Sequence, residues 1–131
     1  MISLGYGFEK QLSGVSLADA KERVTKALAA EGFGVLTEID VKATLRKKLD
    51  VDFRPYVILG ACNPHLAHRA LQGDPQIGLL LPCNVVVQES AGGAIVSIAS
   101  PRVMFSVVRR DDLEPIVAEA DTRLRRAMDA L

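Results

Sequence analysis

A chain of 131 residues with 49% apolar and 24% charged side chains has the length and composition of one ordinary globular domain, able to bury a core without disulfide staples. Sixteen basic residues balance sixteen acidic ones, so no net field steers the chain towards nucleic acid or an anionic membrane, and weak self-repulsion favours association. An aromatic content of 5% argues against a base-stacking surface for nucleic acid.

In chain order, Met1 to Gly7 lacks the basic and apolar blocks of a signal peptide. Leu4 to Leu12 alternates as a strand, with Tyr6 and Phe8 on one face. Ser16 is the natural cap of a helix whose apolar positions are Leu17, Ala20, Val24, Ala27 and Leu28, and Gly32 suits its left-handed end. Phe33 to Ile39 reads as a second strand. Asp40 caps a short helix from Val41 to about Leu49, with Lys47 and Lys48 in its last turn. Tyr56 to Cys62 is a third strand, and Asn63-Pro64 opens a helix running to about Gln72. Ile77 to Leu81 reads as a turn or half-strand, followed by a full strand from Cys83 to Glu89. Ser90-Ala91-Gly92-Gly93 connects it to a partner strand, Ala94 to Ala99. Pro101 to Phe105 carries no clear pattern. Asp111 or Asp112 starts a long final helix with one stripe through Leu113, Ile116, Val117, Ala120, Leu124, Ala127 and Leu131.

This order predicts a single α+β domain over residues 1–131, a mostly antiparallel sheet with helices on one face and a long C-terminal helix. Val57-Ile58-Leu59 and Val85-Val86-Val87 are apolar at consecutive positions, so both faces of those strands should be buried. One helix layer covers one face only. The other face is expected to meet a second copy, giving a homodimer packed through the sheet. The longest apolar runs are broken by Pro82, Cys83 and Asn84 and fall short of a membrane span. Two cysteines are too few for a secreted disulfide framework, so the expected setting is the reducing cytoplasm, with no membrane and no nucleic acid as partner.

Three blocks, Gly34-Val35-Leu36-Thr37-Glu38-Ile39-Asp40, Tyr56 through Pro64, and Leu80-Leu81-Pro82-Cys83-Asn84-Val85, together resemble the domain-of-unknown-function family numbered 302, a group of small bacterial and archaeal proteins. The resemblance spans nearly the whole chain. It implies a curved antiparallel sheet of the TATA-binding-protein-like type and dimerisation, and it implies no activity.

Four sets of residues carry chemistry. Cys62 and Cys83 each end or begin a strand beside an asparagine, and Cys62 stands at a helix N-terminus, where a thiolate is stabilised. They read either as a thiol-based binding or redox site or as two small buried apolar residues. Cys62, His65 and His68 are soft ligands for zinc or copper, although three residues within a turn and a half converge poorly on one ion. Glu38, Asp40 and Lys42 offer acid–base chemistry if a cleft covers them. Capping accounts for Asp40, and nothing comparable accounts for Glu38. Asn63 is a helix cap, whereas Asn84 within an apolar strand needs a partner, either a ligand or the loop after Cys62.

No glycine-rich phosphate loop, Gly-x-Ser-x-Gly or Cys-x-x-Cys occurs. The sequence therefore predicts a cytoplasmic dimeric module that binds a small molecule or metal near the Cys62/Cys83 strand ends, with Cys62, Cys83, Asn63, Asn84 and Glu38 around it. The alternatives are an enzyme with Cys62 as nucleophile and Glu38 or His68 as base, and a purely structural association domain.

Overall fold

The computed structural model describes residues 1–131. Six strands are formed: β1 (Ile2–Ser3), β2 (Gly7–Ser13), β3 (Gly34–Asp40), β4 (Tyr56–Cys62), β5 (Cys83–Ser90) and β6 (Gly93–Ala99). Five helices join them: α1 (Leu17–Ala30), α2 (Val41–Leu49), α3 (Pro64–Gly73), α4 (Pro101–Phe105) and α5 (Glu114–Asp129). The strands make one sheet in the order β1-β2-β6-β5-β4-β3, antiparallel throughout. The mixed α+β architecture and the long last helix agree with the sequence reading.

Local chemistry sets most boundaries. Side-chain oxygens of Ser16, Asp40, Asn63 and Ser100 accept backbone N–H groups at the starts of α1, α2, α3 and α4, each using a donor the helix itself leaves unpaired. Gly32, with φ of +83°, turns the chain out of α1 in the left-handed conformation expected for it. The Lys10 ammonium donates to the carbonyls of Met128 (3.2 Å) and Leu131 (2.7 Å), closing α5 where its dipole is negative.

Four boundaries differ from the sequence reading. The first long strand begins at Gly7 rather than Leu4, because Gly5 at φ +85° reverses the chain between β1 and β2. Tyr6 and Phe8 therefore do not share an environment: Tyr6 is 65% exposed and Phe8 4%. Residues Pro75–Leu80 form a 3-10 turn, not a half-strand, with Asp74 accepting the Gln76 N–H at 3.0 Å and Pro75 in its first turn. Pro101–Phe105 is helical, capped by Ser100. Asp111–Leu113 is a separate 3-10 turn, and α5 proper starts at Glu114 with Pro115 in its first turn.

Alternation along the strands divides the sheet into two unlike faces. Phe8, Leu12, Val57, Leu59, Ala61, Val85, Val87, Ala94, Val96 and Ile98 face the helices and form, with Ala20, Val24 and Leu28 of α1, Leu124, Ala127 and Met128 of α5, Phe33 ahead of β3 and Leu66 of α3, a buried cluster of 18 residues. The register places Ile58 opposite Val86 and Val86 opposite Ser97 on the other face. That face is not sealed. Ile58, Val86, Ile95 and Tyr56 are half-buried, and Ile39 is 50% exposed.

Candidate functional site

The two Cys-Asn steps lie side by side at one end of the sheet, where β4 finishes and β5 begins. Cys83 pairs with Ala61, the neighbour of Cys62, and Asn84 pairs with Gly60. The steps nevertheless serve different purposes. Asn63 is 7% exposed and its side-chain oxygen accepts the Leu66 N–H at 3.2 Å, so it is a buried cap. Asn84 is exposed on the unsealed face, which corrects the expectation of a buried amide: strand alternation turns Asn84 outward beside Val85, which turns inward.

Both thiols are held protonated. Burial pushes the Cys62 pKa above its usual value. Burial first, and second the repulsion from the charge that Cys62 gains when it ionises, push Cys83 up to about 11. The lowering expected for Cys62 at a helix N-terminus does not occur. Cys62 precedes the cap, the Leu66 N–H is already bonded to Asn63, and desolvation governs what remains. A thiol that stays neutral is a poor nucleophile.

Around Asn84 the surface folds into two adjoining hollows. One, of about 210 Å³, runs from Leu79 through Pro82 and Cys83 to Met104 and Phe105. The other, of about 270 Å³, lies over the unsealed face between Leu4, Tyr6, Val86, Ser97 and Met104. They share Asn84, Ala99 and Met104 as a common floor and wall. Gly60 helps to shape this end. A methyl group on it would meet Thr37 Oγ1 and come within 2.7 Å of Pro82 Cγ, so only glycine lets β3 and Pro82 close over β4. Behind Cys62, an apolar slot of about 30 Å³ separates α3 from α5, lined by Phe33, Leu66, Leu81, Phe105 and Val117 among others.

The remaining candidates are dispersed. Glu38 sits opposite Leu59 and reaches Lys21 of α1 at 3.1 Å, on the helix side of the sheet and away from Asn84. Asp40 accepts the Ala43 N–H, and Lys42 donates to the Phe53 carbonyl at 2.9 Å, so the supposed acid–base trio is three separate local contacts. His65 and His68 are exposed on α3. Cys62 and the two histidines do not converge: no group of three or more His, Cys, Asp or Glu residues is placed to hold a metal ion. A further hollow of about 230 Å³ between α4 and α5 carries Arg102, Arg109 and Arg110, but Arg102 is already paired with Glu114 and Asp121, and Arg110 with Asp112 and Asp74.

Sequence reasoning missed Tyr6, Ser97, Ala99 and Met104. Ser97 had a usable signal, since a polar residue between Val96 and Ile98 marks the outward face of β6. Met104 had none, because α4 is too short for a periodic pattern.

Comparisons with known proteins agree with this fold. The family described as Domain of unknown function DUF302 matches residues 8–131. The crystal structure of an uncharacterized conserved protein DUF302 from Bacillus stearothermophilus is similar, at 30% identity and a TM-score of 0.86, over 95% of this chain and 97% of that one. No curated protein matches. No helix is long and apolar enough to cross a membrane.

Proposed function

The chain belongs to the DUF302 family, and from that premise we propose a module that binds a small molecule in the double hollow around Asn84 and works as a homodimer, with a second copy covering the unsealed face. The observation that carries the reading is the adjoining pair of hollows, about 210 and 270 Å³, meeting at Asn84, a polar residue just ahead of the apolar run Val85-Val86-Val87. Together they approach the size and lining usual for small-molecule sites, mostly apolar with a few polar groups.

The half-buried Ile58, Val86 and Ile95, with Ile39 beside them, support the second copy. The binding site is centred on the Cys83-Asn84 step rather than shared equally with Cys62. Binding by shape and hydrogen bonds is favoured over thiol chemistry, because both cysteines are shifted towards the neutral form. Two free cysteines fit a reducing compartment, and we place the protein in the cytoplasm.

Solvent extraction of purified protein followed by mass spectrometry tests the reading. Met104 lines both hollows and is half-buried, so Met104→Trp should intrude on both where they meet, with little effect on the core. A small molecule recovered from the wild type and absent from Met104→Trp supports the proposal. The same extract from both proteins, or an empty one from the wild type, contradicts it.

A further inference from the structure

We infer that the groove over the unsealed face takes a neutral ligand with a planar carboxamide or lactam edge and rejects anions. The inference rests on the reading of that groove as a binding site and specifies its chemistry.

Charge is the first argument. Neither hollow is lined by a charged side chain. An ionised ligand would find no counter-charge among these side chains, whereas a neutral polar group can be matched by a hydrogen bond. The second argument is Asn84 itself. The other strand-end asparagine, Asn63, is committed to a cap, whereas Asn84 is exposed and takes part in none of the side-chain hydrogen bonds of the fold. Its cross-strand neighbour is Gly60, which has no side chain to engage it. A free asparagine amide presents an acceptor oxygen and a donor nitrogen in one plane. That pair is complementary to a ligand edge carrying an adjacent donor and acceptor, as in the bidentate contact between asparagine and adenine. Ser97, on the next strand, adds a hydroxyl to the same groove.

The walls supply the third argument. Val86, Ala99 and Met104 give an apolar bed, and Tyr6 stands at its rim, 65% exposed. Methionine sulfur and an aromatic edge both favour a flat ring. A purely aliphatic ligand would suit the bed but leave the Asn84 amide unmatched, and a site built around such an amide discriminates against it.

Benzamide and benzoate have the same shape and differ in charge, which makes them the appropriate probes. Each is titrated into the ¹⁵N-labelled full chain at pH 7 and followed by two-dimensional NMR. Benzamide is expected to shift the Asn84 side-chain amide and the backbone amides of Ser97, Ala99 and Met104 saturably, and benzoate to bind about tenfold more weakly or worse. Asn84→Leu should weaken benzamide by about tenfold. Asn84→Asp keeps the shape, removes the donor and should weaken it likewise, which covers the case where the leucine variant misfolds. Equal binding of the two probes, undiminished benzamide binding in a folded variant, or shifts confined to the Arg102–Arg110 region would overturn the inference. If benzamide leaves the groove unmoved while a molecule extracted from the wild type shifts it, this inference falls and the groove reading stands. If neither moves it, both fall.

Discussion

Replacing Cys83 by alanine should remove much of the protein's loss of stability in alkali. In the folded chain burial, and then the charge of Cys62, raise the Cys83 pKa from its usual value near 9 to about 11. Two units correspond to about 2–3 kcal/mol at about 1.36 kcal/mol each. The sign follows from proton uptake. Between pH 9 and 11 the unfolded chain has released the Cys83 proton and the folded chain still holds it, so rising pH favours unfolding. The stabilising contribution is complete below about pH 9 and is lost as pH climbs through about 11. Urea denaturation under reducing conditions at pH 8, 9, 10 and 11, on the wild type and Cys83→Ala, isolates the effect, because tyrosines and lysines titrate in both proteins and cancel in the difference. The wild-type advantage over the variant should shrink by about 2–3 kcal/mol from pH 8 to pH 11. A difference that stays constant across that range would refute the assignment of Cys83 to a desolvated position at the strand end.

Gly60→Ala should cost about 1–3 kcal/mol in a urea titration, because the added methyl meets Thr37 and Pro82 in a packed position; an unchanged midpoint would mean that these neighbours yield freely. Asn63→Ala, which removes a buried helix cap, should cost about 1–2 kcal/mol by the same measurement. Ile58→Arg puts a charge at the centre of the unsealed face, where Ile58 pairs with Ile39 and Val86. Sedimentation velocity at micromolar concentration should find the wild type dimeric and this variant a folded monomer. Equal sedimentation of the two would show that the copies do not associate through this face.

Much of this molecule was legible because its signals are local. Ser16, Asp40 and Asn63 cap the helices they were read as capping, since a cap needs only its own side chain and an N–H two or three residues on. Val57-Ile58-Leu59 was legible as a strand with two apolar faces, and the fold indeed sends Val57 and Leu59 to the helices and Ile58 to the other side. What escaped was set at a distance or by short elements. Gly5 reverses the chain ahead of β2, and a glycine alone does not announce on which side of it the strand lies. The five residues of α4 cannot show a helical period, so Met104 and the wall it builds were invisible. Spacing suggested Cys62, His65 and His68 as a ligand set, but α3 turns both histidines to solvent. Glu38 looked unexplained until β3 brought it to Lys21, seventeen residues back in the chain. The proposed groove keeps Cys83 and Asn84 from the sequence reading. The chemistry first attached to it, thiolate or metal, does not follow from residues that burial keeps neutral or topology keeps apart.

Native mass spectrometry of the purified chain tests the central claim most directly, since one spectrum reports both assembly and occupancy. Wild-type protein should appear as a dimer carrying a small-molecule adduct, and Met104→Trp as a dimer without it. A bare monomer from the wild type, or an adduct retained unchanged by Met104→Trp, would contradict the account of a second copy covering a ligand groove at Asn84.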